Sequence, residues 1–242
     1  MIKIREFHRP KLGNVEGEYE DAFAFNMRKK RFAMADGASD SVFSGIWARA
    51  LVKSFVNSRL NIDDTGGLAF QMLTESRNAW YDKIDWDSLK LFVKNKAVKG
   101  SFSTFLGVEF TKGKSSYTYR AVALGDTCFI VRNNNDIISK PIEKASDFNI
   151  TPKLFWSGYG APFEKDYKWK VPNMIEFSGE IGFGENFVMA TDALSKWILE
   201  NKSNSWELLT KIDDPALLFN SLLQHRMMRN DDITLSVLTL QP

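Results

Sequence analysis

The chain has 242 residues, with 32 Lys and Arg against 30 Asp and Glu, for a formal net charge of +2. An apolar fraction of 44% and a charged fraction of 26% exclude wholesale disorder, and near-neutrality excludes nucleic-acid binding by bulk charge. The single cysteine, Cys128, rules out an internal disulfide; with only His8 and His225 beside it, any metal must be held by oxygen, and so by carboxylates.

Met1 to Phe7 carries charges where a secretion signal needs a continuous apolar stretch, and no segment approaches the roughly 18 apolar residues of a membrane span. The expectation is a soluble, cytoplasmic protein with no nucleic-acid or membrane partner. Its oligomeric state is not legible.

In chain order, Ala22 to Phe25 and Arg31 to Ala35 read as short strands around the basic turn Met27-Arg28-Lys29-Lys30. From Ser44 to Leu60, Trp47, Leu51 and Phe55 and then Ala48, Val52 and Val56 keep the i, i+4 spacing of an amphipathic helix. Asn61 to Gly67 breaks that helix. A second runs from Leu68 to Lys83, with Met72, Leu73 and Trp80 inward, and a third piece falls around Leu89, Phe92, Val93 and Ala97. The period then changes: Ser103 to Phe110, Tyr117 to Leu124 and Cys128 to Arg132 read as strands separated by turns.

Residues 133–173 hold Pro141, Pro152, Pro162 and Pro172 and little periodicity, which predicts a long irregular loop. Trp156, Tyr159, Phe163, Tyr167 and Trp169 crowd it, either as a lid or docking surface or as a satellite core that pins it. Phe187 to Ala190 reads as a strand, Ala193 to Glu200, Trp206 to Ile212 and Pro215 to Arg226 as helical, and Ile233 to Leu240 as a final strand. No repeat or linker is visible, so a single domain spanning 1–242 is expected. Regular strand–helix alternation is missing, which disfavours a doubly wound parallel sheet and favours two antiparallel sheets with outer helices.

Acidic residues gather at the strand ends. Glu20 and Asp21 precede the first strand of the hairpin, and Asp36-Gly37 ends the second. A hairpin centred between Arg28 and Lys29 places Asp21 opposite Asp36, where like charges about 5 Å apart at Cβ need a compensating cation. Asp192 follows Phe187 to Ala190, Asp231-Asp232 precede the last strand, and Asp126 sits in a turn after Gly125. Asp at a strand end also forms turns and caps helices, and Asp192 is placed to do so.

The joint arrangement resembles the metal-dependent protein phosphatases of the PP2C type (the PPM family), in bacterial and divergent form, over essentially the whole chain. Glu20-Asp21-Ala22 resembles the first Glu-Asp motif, and Met34-Ala35-Asp36-Gly37 the Asp-Gly motif after the second strand. Gly100-Ser101-Phe102-Ser103-Thr104 is similar to the Gly-Ser-Thr stretch that opens a central strand. Leu124-Gly125-Asp126-Thr127 resembles Val-Gly-Asp-Ser, Ala190-Thr191-Asp192-Ala193-Leu194 resembles Ser/Thr-Asp-Gly-Leu, and Asn230-Asp231-Asp232-Ile233-Thr234 resembles Asp-Asn-Ile-Thr.

The resemblance implies an α+β fold, the αββα sandwich, and hydrolysis of phosphoserine or phosphothreonine on a protein substrate by a metal-activated water. It implies two Mn²⁺ or Mg²⁺ ions and a possible third. Asp36 would bridge both ions, Asp192 and Asp231 would complete the first site, and the Gly37 carbonyl and Glu20 would serve the second. Asp21 would support this shell, and Asp126 would hold the third ion. Asp36, Asp192 and Asp231 are thus the expected catalytic set.

Departures fall on the substrate side. Ala38 stands where many members carry a His thought to protonate the leaving group, although bacterial relatives often lack it. Glu16 stands where several members place a phosphate-binding Arg, Asp232 replaces an Asn, and Ala193 replaces a Gly. No substrate-binding residue can be assigned. A catalytically weak module that binds a phosphoprotein is therefore the alternative to an active phosphatase. The cluster Arg28-Lys29-Lys30-Arg31 reads as a solvated hairpin tip, Cys128 as core, and His225 as a helix C-terminal residue.

Overall fold

In the computed structural model, residues 1–133, 136–149, 151–158 and 171–242 are described. The first half comprises β1 (Ile2–Arg9), β2 (Ala22–Asn26), β3 (Arg31–Ala35), α1 (Ser44–Asn57), α2 (Thr65–Lys83), α3 (Leu91–Ala97), β4 (Phe102–Ser103), β5 (Phe105–Lys112) and β6 (Ser116–Leu124). The second comprises β7 (Cys128–Asn133), β8 (Asp136–Lys140), β9 (Phe155–Trp156), β10 (Ile175–Gly182), β11 (Asn186–Ala190), α4 (Asp192–Lys211), α5 (Ala216–Gln224) and β12 (Ile233–Leu240).

Among the described residues the strands form two five-stranded antiparallel sheets, in the orders β1-β12-β11-β7-β8 and β10-β6-β5-β3-β2, and a small ribbon of β4 with β9. Strand alternation decides the layers. On β3, Phe32 and Met34 point between the sheets to meet Phe187 and Met189 of β11, whereas Ala33 and Ala35 point outward and, being small, let α1 sit close. The Phe110 and Phe187 rings lie 4.7 Å apart across that interior. Helices α1 and α2 cover one sheet through Trp47, Leu51, Phe55, Met72 and Trp80. Helices α4 and α5 cover the other through Leu194, Ile198, Leu209 and Phe219. This is the αββα sandwich expected.

The hairpin register is the one anticipated, with Ala22 paired to Ala35 and Asn26 to Arg31. Four strands, β1, β8, β9 and β10, were not foreseen. β1 and β10 are edge strands that alternate charged, exposed residues with apolar ones, so their patterning resembles surface loop. β8 falls inside the expected irregular stretch 133–173 and pairs with β7, so that stretch is partly regular. Trp156 is described; Tyr159, Phe163, Tyr167 and Trp169 lie outside the described residues. The anticipated helices at Ala193 and Trp206 run together as α4 across a kink at Lys202, whose φ is 46°.

The basic turn is exposed at Arg28 and Lys29, as a solvated tip should be, but two of its cations are anchored. Lys29 donates to the carbonyls of Asn57 and Ser58 at 2.5 and 2.7 Å. Arg31 is buried, pairs with Glu109 at 2.5 Å, and donates to Ser58 and Leu60 carbonyls at 2.9 and 2.6 Å. Both cations satisfy the exposed carbonyls at the C-terminal end of α1, where positive charge is favoured.

Candidate active site

Asp36 leaves β3 where the two sheets end, and its backbone is clamped from both sides. Its N–H donates to Thr104 Oγ1 at 3.0 Å, and its carbonyl accepts from the Ser103 hydroxyl at 2.8 Å and the Thr104 N–H at 2.9 Å. Thr104 Oγ1 is itself 2.6 Å from Thr127 Oγ1, which ties the Gly-Ser-Thr-like stretch to the turn that carries Asp126. Gly37 has to be glycine: a Cβ there would lie 2.7 Å from the Glu20 carbonyl oxygen and 2.8 Å from the Ser44 carbonyl carbon.

Asp36, Gly37, Asp126, Asp192 and Asp231 line one cavity of about 420 Å³, together with Asp40, Thr104 and Arg229. Asp192 opens α4 and its Oδ1 accepts the Ala193 N–H at 2.5 Å. Arg229 reaches across to Asp192 Oδ2 at 2.7 Å and also pairs with Asp231. Among the described residues, no three His, Cys, Asp or Glu side chains are already gathered closely enough to enclose an ion.

Glu20 and Asp21 border this cavity rather than line it. Asp21 is buried and accepts the Thr234 hydroxyl at 2.7 Å. Glu20 accepts Ser44 and Ser39 hydroxyls at 2.5 and 2.6 Å and pairs with the Lys11 ammonium at 3.2 Å. Asp40, which is not among the expected ligand residues, lies in the same cavity. Glu16 instead pairs with His8 at 2.6 Å.

The electrostatics follow from this crowding. Burial first, then the charges of Asp21, Asp192 and Asp231, raises the Asp36 carboxyl well above its ordinary range. Asp21 is raised in the same way, by burial and then by Asp232 and Asp192. Burial and Asp192 push Asp126 up to about 7. Asp192 is raised by burial, with Arg229 opposing. Carboxylates held at such mutual cost, offering oxygen atoms alone as ligands, suit a hard divalent cation in chemistry.

Sequence reasoning missed three residues here. Arg229 was given no role in the site, although its place two residues before Asp231 was a usable signal. Lys11 and the structural duty of Asp232 had none: Lys11 meets Glu20 across an irregular segment with no pattern to place it, and Asp232 meets N–H groups at the other end of the chain. Cys128 is buried, with its thiol pushed up to about 12 by burial, as a core residue should be. His225 accepts its place at the end of α5, its Nδ1 2.9 Å from the Ser221 carbonyl.

No protein-family model and no curated protein matches this chain. Solved structures do. The serine/threonine phosphatase PstP/Ppp of Mycobacterium tuberculosis is similar at 12% identity with a TM-score of 0.65, over 100% of this chain and 99% of that one. The catalytic domain of the phosphatase PstP in complex with two manganese ions is similar at 13% identity and a TM-score of 0.62, over 100% of both chains. The serine/threonine phosphatase Stp1 from Staphylococcus aureus is similar at 16% identity and a TM-score of 0.62, over 100% of this chain and 96% of that one. The chain therefore has the fold of these phosphatases. No described helix is long and apolar enough to cross a membrane.

Proposed function

We propose that the protein is a metal-dependent protein phosphatase acting on phosphoserine or phosphothreonine, formed by one domain that spans the chain. The observation that carries this reading is the placement of Asp36, Asp126, Asp192 and Asp231 around one cavity at the ends of both sheets, in a fold shared with solved serine/threonine phosphatases. Asp36, Asp192 and Asp231 would hold one Mn²⁺ or Mg²⁺ ion, and Asp36, the Gly37 carbonyl and Glu20 a second. Asp126, beside Asp192, is suited to a third. Ions bound there would supply a water acidified enough to attack at neutral pH and would offset charge developing on the phosphoryl group.

The chain's own residues prepare that chemistry. Thr104 and Ser103 fix the Asp36 backbone, and Ser39 and Ser44 orient Glu20. Asp21 stays behind the cavity as a buried carboxyl that accepts the Thr234 hydroxyl. Ala38 offers no proton to a leaving group, so that proton would come from solvent or from another group at the cavity. Arg229, at the cavity wall, is a cation within reach of the ligand carboxylates and of an entering phosphate.

Arg229 also favours a second reading. Its guanidinium already spans Asp192 and Asp231, so protein cations could balance the carboxylates and leave a phosphoprotein-binding module of little activity. Phosphate release from phosphopeptides, with and without Mn²⁺, separates the two. Mn²⁺-dependent release supports the enzyme. Metal binding without hydrolysis of either phosphopeptides or p-nitrophenyl phosphate supports the binding module.

A further inference from the structure

The carboxylate cavity continues into a groove. Ala38, Asp40 and Leu154 line both, and the groove, of about 450 Å³, extends from them past Val42 and Phe102 to Lys96 and Lys99. Its wall is hydrogen-bonded to the candidate site: the Ala38 N–H donates to the Phe102 carbonyl at 2.9 Å, and the Phe102 N–H to the Ser41 hydroxyl at 3.1 Å.

The groove is rigidly backed. The Trp156 indole donates to the Lys99 carbonyl at 2.7 Å, and its ring stacks with Phe102 at 6.4 Å and 16°. Gly100, with a φ of +82°, makes room for that indole: a Cβ there would lie 2.4 Å from Trp156 Nε1. A pocket of this size with preformed walls is suited to ligand side chains.

The far end is both apolar and basic. Helix α3 buries only Ala97, while Leu91 is 75%, Phe92 70% and Val98 52% exposed. Exposed apolar side chains clustered within so short a segment mark a binding surface more often than a solvated one. Lys90, Lys94, Lys96 and Lys99 interleave with them, and the Lys96 ammonium lies 5.1 Å from the Phe92 ring centroid. The acidic residues nearby are Asp40, at the mouth beside the carboxylate cavity, and Asp85 and Asp87, in the segment before α3.

We propose that this groove receives the polypeptide flanking the phosphorylated residue and selects segments that carry acidic and apolar side chains. The inference rests on the phosphatase reading and deepens it. Continuity with the candidate site fixes where the occupant starts. The lysines favour acidic flanks, and Val42, Phe102 and Leu154 in the groove, with the exposed apolar residues of α3 beyond it, favour apolar ones.

The test uses the full chain with Mn²⁺ and three substrates: p-nitrophenyl phosphate, a phosphoserine peptide with Leu and Glu flanks, and the same peptide with Ser and Lys flanks. The acidic, apolar peptide should be turned over with kcat/KM about tenfold above its counterpart. The double variant Lys96→Glu/Lys99→Glu should erase or invert that preference while p-nitrophenyl phosphate turnover stays within about twofold. Phe102→Ser should lower turnover of the apolar peptide alone. Equal kcat/KM for both peptides in the wild type overturns the groove and leaves the phosphatase reading intact. So does an equal loss on all three substrates in the lysine variant. If nothing is hydrolysed, the phosphatase reading fails, and fluorescence anisotropy with the same two labelled peptides decides the groove. Tighter binding of the acidic peptide, lost in the lysine variant, upholds it; equal binding overturns it.

Discussion

Asp232 Oδ2 accepts the backbone N–H of Glu20 at 2.7 Å, while its Oδ1 accepts that of Lys11 at 2.8 Å. A carboxylate at the start of β12 thereby fixes the segment that carries Glu20 and Asp21, which is 212 residues away in sequence from the first of these contacts. The resemblance leads one to expect Asn at this position, which offers one acceptor oxygen where this geometry uses two. The substitution suits the double acceptor role. Burial raises the Asp232 carboxyl, and the two N–H donors pull the other way.

Asp232→Ala should therefore cost about 2–3 kcal/mol, because two N–H groups lose a charged acceptor. Asp232→Asn should cost less, since one acceptor remains. Chemical denaturation measures both. Equal stability of wild type and Asp232→Ala would show that water replaces the carboxylate without loss.

Mn²⁺ or Mg²⁺ should raise the melting temperature, since a ligand that binds only the folded state stabilises by about 2.7 kcal/mol at a hundredfold excess over Kd. Asp36→Asn should blunt that rise most and abolish phosphatase activity, because Asp36 is assigned to both ions. Its metal-free form should be at least as stable as wild type, one of the mutually repelling charges around it having gone. Asp40 lines the same cavity, so the control is the exposed Asp63→Asn, which should leave the metal response unchanged. A wild-type metal response in Asp36→Asn would remove Asp36 from the ligand set.

Arg229→Gln should tighten Mn²⁺ binding by up to about tenfold, since no internal cation then competes for Asp192 and Asp231. It should also lower the melting temperature of the metal-free protein. Calorimetric titration reads the first effect and thermal unfolding the second. Weaker Mn²⁺ binding in Arg229→Gln would mean that the guanidinium orients the carboxylates for the ion rather than competing with it.

The metal-free protein should lose stability as pH rises. Asp126 titrates at about 7 when folded against an ordinary 3.8, so across that window the folded state holds a proton that the unfolded state has released. The destabilisation grows from the lower value and is complete above the upper one. It reaches a few kcal/mol. Asp21 and Asp36 act in the same direction. Melting temperature should fall between about pH 5 and about pH 8, and Asp126→Asn should flatten that fall. Saturating Mn²⁺ should flatten it too. A metal-free profile that rises across the window would contradict the proposed crowding of carboxylates.

The hairpin and its consequence were legible in the sequence itself. Alternating large and small apolar residues on both sides of Met27 to Lys30 specify register, because a slip by one residue would turn Phe32 and Met34 out of the space between the sheets and into the close contact with α1 that Ala33 and Ala35 permit, and that register carries Asp36 to the sheet end. The helices α1 and α2 were equally legible, since an apolar stripe every third or fourth residue has few other solutions. Tertiary structure alone decided the rest. β1 and β10 became strands because β12 and β6 offered them free hydrogen-bonding edges, which no local pattern encodes. Lys29 folded back along the surface and Arg31 turned inward because α1 ends beside them with carbonyls to satisfy. Arg229 and Lys11 entered the candidate site, and Asp232 stayed out of it, because each answers charges and donors brought close only once β12, the Glu20 segment and α4 have packed together.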